Sequence, residues 1–367
     1  MNFTSTSKRN WHEQPDSPVV STGVTGEGLL FNGSRNALCR GWDRRGFIET
    51  LGLTGLTLAV APLTSMLMPS SALAGSSVQD FTFAILADSH TMGNKNSPMK
   101  VRLEAAIRQI NAMDPAPDFV MYLGDAIHDG TREEFKYFEE IIAGLKPAIH
   151  YLAGEHDWYL DMGDYYMQHM IKRANPYYSF NHKGAHVMAL HGCNLSDFWS
   201  KRRLSPEERM KVAGDITDAS QGPFTLGRAQ LDWMQRDLAN VPKDAPILIF
   251  SHAPLYQYHE PWNFWTQDAD QAHAILKPFR NVQVFHAHVH QLVEHQIANM
   301  KFTGILSTSW PHPYPERYHT LGLTGQMPRP NPSNLYDGLG WHIARVEGGS
   351  GKVSHEDILW TLKPPVA

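Results

Sequence analysis

Five short segments rich in Asp and His stand where apolar runs of the sequence end. They are Asp88-Ser89-His90, Gly124-Asp125, Gly154-Glu155-His156-Asp157, Ser251-His252 and Ala287-His288-Val289-His290. Imidazole and carboxylate ligands together suit Fe, Mn or Zn, and a carboxylate placed between two cations can bridge them. Because such ligands follow several separate runs, the sequence predicts a site for two metal ions.

The apolar runs that precede these segments have the length and composition of buried strands. They cover residues 81–87, 119–123, 148–152, 246–250 and 282–285, and a late run covers 341–346. Residues 100–113 have helical spacing of apolar side chains, and 132–144 also reads as a helix. Strands alternating with helices predict a layered α/β fold, in which sites lie at the carboxyl ends of strands.

Between these runs the pattern changes. Residues 177–181 and 186–190 alternate around Gly184, which predicts an antiparallel hairpin. Residues 194–224 are charged and contain Gly and Pro, as expected of a surface insertion. Residues 306–337 are rich in aromatic residues and Pro, and we interpret them as an ordered loop at the mouth of the site or as a structural loop.

Composition excludes some classes of protein. The chain has 367 residues, 42% of them hydrophobic, and a formal net charge of -5. These values are typical of a soluble globular protein and give no indication of a nucleic-acid-binding surface. Of the two cysteines, Cys39 lies in the leader described next, so Cys193 would have no partner for an internal disulfide. We expect Cys193 to be a buried residue of a strand.

Residues 1–74 are expected to be an export signal. A polar stretch leads to Arg44-Arg45, an apolar run over about 51–68 and the small-x-small sequence Ala72-Leu73-Ala74. Paired arginines before a mildly apolar run resemble a bacterial twin-arginine signal. We expect cleavage after Ala74, a periplasmic or otherwise exported protein, use of the export machinery for folded proteins, and no stable membrane anchor. The alternatives are a chance Arg pair before a buried helix and an uncleaved anchor.

The ordered motifs D-x-H, G-D, G-x-H-D, a later His and x-H-x-H resemble the calcineurin-like metallophosphoesterases. The resemblance covers nearly the whole chain after residue 80. It implies one domain over residues 80–362 with a four-layer α/β/β/α sandwich. It also implies a hydrolase of small phosphate mono- or diesters, in which a hydroxide bridging two metal ions attacks phosphorus.

The resemblance assigns roles to the residues that match the motifs. The implied ligands of the first metal ion are Asp88, His90 and His290. The implied ligands of the second are Glu155, His252 and His288, with Asp125 bridging the two ions. His156 would be catalytic beside the substrate oxygen, oriented by Asp157, the other residue expected to act in catalysis. His128 and Asp129 are either partners of the imidazole ligands or ordinary loop residues.

Three residues depart from the family pattern. The family usually has Asn where this chain has Glu155, whose charge would either strengthen the second metal site or, if the side chain turns away, leave it partly vacant. Ala287 replaces a Gly and restricts the backbone. His286 offers a competing His-x-His register, but His288 and His290 need no shortening of the strand. No Tyr stands in the short loop after Asp125, so the purple acid phosphatase pattern is not seen.

The change at Glu155 also motivates a second hypothesis from another class. In it, the protein binds metal ions but has lost hydrolysis, and serves as a sensor or interaction module. The intact pair His156 and Asp157 argues for hydrolysis instead, because a binding protein has no use for an acid that protonates a leaving group. A lesser alternative is a two-metal hydrolase of esters or amides that contain no phosphorus.

Overall fold

The computed structural model describes residues 77–193, 204–215, 224–259 and 261–365. The predicted leader, residues 1–74, lies outside these ranges. The strands are β1 (Phe81–Leu86), β2 (Phe119–Leu123), β3 (Ala148–Leu152), β4 (Tyr178–His182), β5 (Ala185–Ala189), β6 (Pro246–Ser251), β7 (Asn281–His286), β8 (Val293–Ile297), β9 (Met300–Gly304), β10 (Gly340–Val346) and β11 (Val353–Leu359).

The strands form two mixed sheets. The first has the order β11-β10-β1-β2-β3, and the second has the order β4-β5-β6-β7-β9-β8. In the first sheet β1, β2 and β3 are parallel, while in the second β5, β6, β7 and β9 are parallel. The carboxyl ends of parallel strands meet at one edge of a sheet, so side chains that follow β1, β2, β3, β6 and β7 can converge.

Helices cover the outer faces of both sheets. The helices are α1 (Pro98–Asn111), α2 (Arg132–Ile142), α3 (Glu155–Trp158), α4 (Asp164–Tyr166), α5 (Pro206–Gly214), α6 (Gly227–Asp237) and α7 (Ala269–Leu276). Two of the longer helices begin at recognisable caps: Ser97 caps α1 before Pro98, and Thr131 forms a capping box with Glu134 at α2. Among the described residues, no helix is both long and apolar enough to span a bilayer.

The predicted four-layer sandwich is confirmed by the way β6 distributes its side chains. Leu248 and Phe250 face the core between the two sheets, whereas Ile247 and Ile249 face the core beneath α6 and α7. Phe83 of β1 meets the ring of Phe250 across the sandwich, with ring centres 5.7 Å apart. The opposite face of the first sheet is covered by α1 and α2, giving helix, sheet, sheet and helix.

Most predicted elements appear within two residues of their expected bounds, and the hairpin around Gly184 is present as β4 and β5. The sequence interpretation did not name the short helices α3 and α4, nor α5, α7, the β8–β9 hairpin and β11. For α5 a signal was present, because Ser205, directly before Pro206, forms a capping box with Glu208. Cys193 is buried as predicted but lies beyond β5, in an isolated bridge to Thr225.

Candidate metal centre

All seven predicted metal ligands follow the carboxyl ends of strands, and the structure brings them together. They are Asp88 after β1, His90 in the same turn, Asp125 after β2, Glu155 after β3, His252 after β6, and His288 and His290 after β7. Each is at most 2% exposed. Carboxylates and imidazoles are rarely buried this deeply unless they are paired or bind a cation.

The backbone is strained at five of the seven positions. The residues with positive φ are Asp88 (50°), His90 (41°), Asp125 (50°), His288 (67°) and His290 (49°). Residues other than Gly seldom adopt this left-handed conformation, although Asp and His tolerate it better than most. Strain of this kind concentrates at functional sites, where the surrounding structure holds it in place. Ala287 is outside this set, so replacing Gly there causes no such strain.

Gly154 lets the end of β3 approach the ligands of the neighbouring strands. A Cβ atom at this position would lie 2.1 Å from Asp125 Oδ1 and 2.7 Å from His252 Cε1. Real Cβ atoms do not make contacts this short, so any other residue would displace one or both ligands. The Gly that precedes Glu155 is therefore required by close packing at the site.

The ligands divide into two clusters. In the second cluster the ligand atoms of Asp125, Glu155, His252 and His288 all lie within 4.8 Å of one another. Glu155 Oε1 is 2.9 Å from His288 Nδ1, and Glu155 Oε2 is 2.9 Å from His252 Nε2. Glu155 therefore points into the cluster, and the alternative in which it turns away is wrong.

The first cluster contains Asp88, His90 and His290. Asp88 Oδ1 lies 3.6 Å from His290 Nε2, and the Nε2 atoms of His90 and His290 are 3.4 Å apart. Asp125 connects the clusters, because its Oδ2 is 3.5 Å from His90 Nε2 and 3.4 Å from His252 Nε2. One carboxylate oxygen midway between imidazoles of two clusters is the arrangement needed to bridge two cations.

Hydrogen bonds on the outer side of three imidazoles decide which nitrogen faces inward. The Nδ1 of His252 donates to the carbonyl oxygen at the end of β2, and the Nδ1 of His290 donates to the carbonyl oxygen of Trp310, both at 2.7 Å. The Nε2 of His288 donates to Asn263 Oδ1 at 3.0 Å. In each ring the other nitrogen keeps its lone pair for the cluster, as a metal-binding imidazole requires.

The donor set fits two metal ions. The buried atom Asp88 Oδ2 has no hydrogen-bond partner, which is costly unless a cation satisfies it, and the buried atoms Glu155 Oε2 and His252 Nε2 face each other. Burial raises the pKa of Asp88 to about 8. This carboxyl group therefore lacks sufficient positive charge from the protein to remain ionised, and a divalent cation would supply it.

The pKa of Glu155 is shifted in the opposite direction from that of Asp88. Burial opposes ionisation, but His288 and His252 in their protonated forms outweigh it and hold the pKa of Glu155 well below its usual range, and a cation would take the place of those protons. Both carboxylates and neutral imidazoles are donors for Fe, Mn and Zn. The seven residues would thus hold two such ions, each between carboxylate oxygen and imidazole nitrogen.

The structure corrects the expected partner of His156. Its Nδ1 lies 2.5 Å from the carbonyl oxygen of His128, to which it donates. Asp157 instead accepts from backbone N–H groups, with Oδ1 2.9 Å from Ala126 N and Oδ2 3.0 Å from Gly154 N. Asp157 cannot orient His156 in this arrangement, because its oxygens hold together the two turns that carry Asp125 and Glu155.

His128 has the contact expected of a partner, since its Nδ1 lies 3.3 Å from His90 Nδ1. Asp129 meets α2 through its backbone, where its N–H donates to Glu134 Oε2, so a role near the metal ligands stays a prediction. The competing His286 lies outside both clusters, with its Nε2 3.1 Å from the hydroxyl of Tyr256.

A small cavity of about 80 Å³ opens onto both clusters. Trp310 and His312 line this cavity, which favours the first of the two interpretations of residues 306–337, a loop at the mouth of the site. The Trp310 ring lies over His90 with centres 4.3 Å apart. The sequence analysis covered Trp310 and His312 only within the range 306–337 and did not single out either of them or Asn263. Of the residues described around the cavity, none is Lys or Arg.

Comparison with known proteins gives a family match. A family model described as calcineurin-like phosphoesterase matches residues 81–292, more than half of the chain. A 3',5'-cyclic-nucleotide phosphodiesterase of Nostoc sp. is 22% identical over 61% of this chain and 74% of the relative. A probable glycerophosphodiester phosphodiesterase of Arcobacter nitrofigilis is 27% identical over 40% of this chain, and the match spans 46% of that relative.

Solved structures share the fold at low identity. A dimetal phosphatase from Danio rerio has a TM-score of 0.51 and 12% identity, covering 75% of this chain and 98% of the other. A purple acid phosphatase from yellow lupin (Lupinus luteus) seeds has a TM-score of 0.50 and 11% identity, covering 77% of this chain and 54% of the other. At these identities the likeness supports the α/β fold with two mixed sheets.

Proposed function

Because the chain belongs to the calcineurin-like phosphoesterase family, we propose that it hydrolyses phosphodiesters at a centre of two metal ions. The chain is a metallophosphoesterase, and the choice of diesters over monoesters is the proposal. The observation that carries the two-metal centre is the position of Asp125 Oδ2, 3.5 Å from His90 Nε2 and 3.4 Å from His252 Nε2.

The charge of the described part of the cavity lining supports the choice of diesters. A phosphodiester carries one negative charge, whereas a monoester carries close to two near neutral pH. A second charge is usually met by Arg or Lys, which bind phosphate oxygens strongly. The described residues that line this cavity include neither. Both curated relatives named above are phosphodiesterases by name, which supports the same preference.

When bound, the two metal ions would supply Lewis-acid stabilisation of phosphoryl oxygens and a water of lowered pKa. The protein's own residues would hold the substrate oxygen in place and protonate the leaving group. Asp125 and Glu155 outweigh the effect of burial and raise the pKa of His156. With Nδ1 engaged by the carbonyl oxygen of His128, Nε2 is the nitrogen that can hold a substrate oxygen or give a proton to the leaving group.

Export belongs to the proposal because residues 44–74 combine paired arginines, an apolar run and a small-x-small end. The test is to replace Arg44 and Arg45 together by Lys in a bacterium with a twin-arginine pathway, and to follow the protein in cell fractions. Export that is unchanged by this replacement, and unchanged when the pathway is removed, would contradict the assignment.

The proposed hydrolysis is tested on the purified full chain. Bound metal is measured by elemental analysis, and kcat/KM is compared for bis(p-nitrophenyl) phosphate and p-nitrophenyl phosphate on the same sample. We expect about two metal ions per chain and a kcat/KM for the diester more than about tenfold above that for the monoester, equivalent to about 1.4 kcal/mol. A preference for the monoester would overturn the diester assignment, and two metal ions without turnover of either would favour the binding-only hypothesis.

A further inference from the structure

We propose that His128 is a second residue that binds the substrate, donating a hydrogen bond from Nε2 to a phosphoryl oxygen beside the one that His156 holds. The inference rests on the proposed phosphodiesterase function, because it concerns the same cavity. It goes further in naming the group that takes the place of Arg or Lys at this site, and in making that group an uncharged N–H donor.

The hydrogen bond between His90 and His128 decides where His128 carries its proton. His90 Nε2 faces the metal centre, 3.4 Å from His290 Nε2 and 3.5 Å from Asp125 Oδ2. A ring that gives its Nε2 lone pair to a cation carries its proton on Nδ1. The acceptor available to that proton, 3.3 Å away, is Nδ1 of His128. Since His128 Nδ1 accepts, the proton of this ring is on Nε2.

An imidazole in this outer position differs from the other outer partners in the centre. The outer nitrogens of His252, His288 and His290 donate to carbonyl or amide oxygens, which have no proton to pass on. His128 accepts on one nitrogen and still has an N–H on the other. Among the described residues, none accepts a hydrogen bond from His128 Nε2, and the ring lines the cavity. This N–H is therefore available to a ligand in the cavity.

The His128 ring is held in place before any substrate arrives. It stacks on the ring of His156, with centres 5.2 Å apart and planes 15° apart, and the Trp310 ring meets it at 5.6 Å and 87°. The backbone beside it is fixed as well, because the N–H of Asp129 donates to Glu134 Oε2 at 2.9 Å. A donor with a fixed orientation loses less freedom when it binds a ligand.

His128 and His156 present the same kind of group to the cavity. Each has its Nδ1 engaged by the protein, that of His156 by a carbonyl oxygen and that of His128 by His90. Each therefore has Nε2 left for the substrate, and the two rings lie side by side. Such a pair suits two oxygens of one phosphoryl group. An uncharged N–H meets the single negative charge of a diester and leaves the second charge of a monoester without a cation.

The first experiment compares two substitutions of similar size. His128→Met removes both ring nitrogens, whereas His128→Gln can still accept from His90 and donate into the cavity. Wild type and variants are loaded with Zn²⁺, and two ions per chain are verified by elemental analysis. Dimethylphosphinate, a singly charged anion with two phosphoryl oxygens and no ester bond to hydrolyse, is then titrated and its binding followed by phosphorus NMR.

We expect His128→Met to raise the Kd for dimethylphosphinate by more than about tenfold, because hydrogen bonds to charged groups are among the stronger ones in proteins. His128→Gln should restore most of the affinity. The KM for bis(p-nitrophenyl) phosphate should follow the same order. A His128→Met chain with two Zn²⁺ ions and the Kd of wild type would overturn the proposal.

Asn263→Ala is the matched control, because it removes the outer partner of His288 and Asn263 is not among the residues that line the cavity. It should weaken metal binding, yet keep the wild-type Kd for dimethylphosphinate once both ions are bound. If His128 served only as an outer partner of His90, His128→Met would behave in the same way as this control, and the proposal would be wrong.

The position of the proton is read directly from the wild-type chain loaded with Zn²⁺. Long-range proton–nitrogen NMR correlations distinguish the two ring nitrogens, and His128→Gln identifies the signals of His128. We expect the proton on Nε2 and a shift of this N–H signal when dimethylphosphinate binds. A proton on Nδ1, or an N–H signal that dimethylphosphinate leaves unmoved, would contradict the proposal even if His128→Met failed to fold.

The outcomes separate this inference from the proposed function. A chain that binds two ions and hydrolyses no diester contradicts the proposed function, and the dimethylphosphinate titration, which needs no turnover, still decides the role of His128. A chain that hydrolyses diesters, but whose His128→Met variant keeps the wild-type Kd, contradicts only this inference.

Discussion

Within the described ranges, two regions each bring three or more His and acidic side chains within reach of one ion, and one of them has the form of a metal centre. The other, which we call the edge cluster, consists of Glu294, His342, His355 and Asp357. There, His342 Nδ1 lies 3.0 Å from Asp357 Oδ1, and His355 Nδ1 lies 3.6 Å from the same oxygen. By residue type and distance alone the two regions look alike.

The hydrogen bonds on the outer side of the imidazoles distinguish them. In the metal centre the outer nitrogens of His252 and His290 donate to carbonyl oxygens, which leaves a lone pair facing inward. In the edge cluster the N–H of Leu306 donates to His342 Nε2 at 2.9 Å, so Nδ1 carries the proton and has no lone pair for a cation. The outer partner, rather than the set of residues, decides between metal site and ion pair.

The edge cluster has a structural role that follows from its position. β8 and β11 are edge strands of the two sheets, and His355 on β11 lies 3.2 Å from Glu294 Oε1 on β8. The cluster thus joins the sheets where the sandwich would otherwise be open. In the edge cluster, ion pairs between His and carboxylate side chains link the two sheets. In the metal centre, the carboxylates are available to bind a cation.

The largest expected difference comes from matched Asp→Asn changes in the two regions. Asp125→Asn should lower kcat/KM by about 10³-fold or more, since bridging two ions contributes several kcal/mol at about 1.4 kcal/mol per tenfold. Asn tolerates the positive φ found here, so the fold should survive. Asp357→Asn should keep both metal ions and kcat. Steady-state kinetics with elemental analysis tests the pair, and equal losses in both variants would remove the distinction between the regions.

The second expected difference concerns stability and pH. Burial alone would lower the pKa of His355, but Asp357 and Glu294 together raise it to about 9. A pKa raised from about 6.5 to about 9 corresponds to about 3 kcal/mol of stability, present below about pH 6.5 and lost as pH rises through about 9. The difference in unfolding free energy between wild type and His355→Gln, measured in urea, should therefore shrink between pH 6.5 and 10.

Asp357 is the acidic partner of His355 in this cluster. Its contribution to stability depends on pH with the opposite sign. His342 and His355 outweigh burial and hold the pKa of Asp357 well below its usual range. Its contribution is therefore present above about pH 4 and is lost only as pH falls below that value. A stability difference for His355→Gln that stays constant from pH 6.5 to 10 would show that the edge cluster carries no charged pair.

The sequence predicted the ligand residues because each follows an apolar run of strand length. Glu155 and Asp125 could be placed at strand ends from the chain alone, since strand–helix alternation makes those ends converge. The partner of His156 could not be predicted, because it is a backbone carbonyl, that of His128, and any residue carries one. Asp157 has the right residue type to orient a histidine, but its carboxylate accepts hydrogen bonds from N–H groups that include one of a neighbouring turn.

The missed elements have similar explanations. The β8–β9 hairpin carries His295, Gln296 and Lys301 among its apolar residues, so its alternation is weak, and it follows directly on the His cluster. Asn263 and His312 lie in segments without regular periodicity, where no pattern marks one polar residue above another. Distances between segments far apart in the chain, not local spacing, reveal such partners.

The smallest expected difference compares the outer partners of the two regions. Asn263→Ala removes the acceptor for His288 Nε2 and should weaken metal retention by about 10–100-fold, while Asn263→Asp keeps an acceptor and should restore most of it.

In the edge cluster Thr303 Oγ1 donates to Glu294 Oε2 at 3.1 Å, and Thr303→Val should cost about 1 kcal/mol of stability without changing metal content. Chelator competition and urea unfolding on the three variants measure both effects. We expect the substitutions at Asn263 to change metal affinity and the substitution at Thr303 to change the free energy of unfolding. A change of metal content in Thr303→Val would show instead that the edge cluster is a metal site.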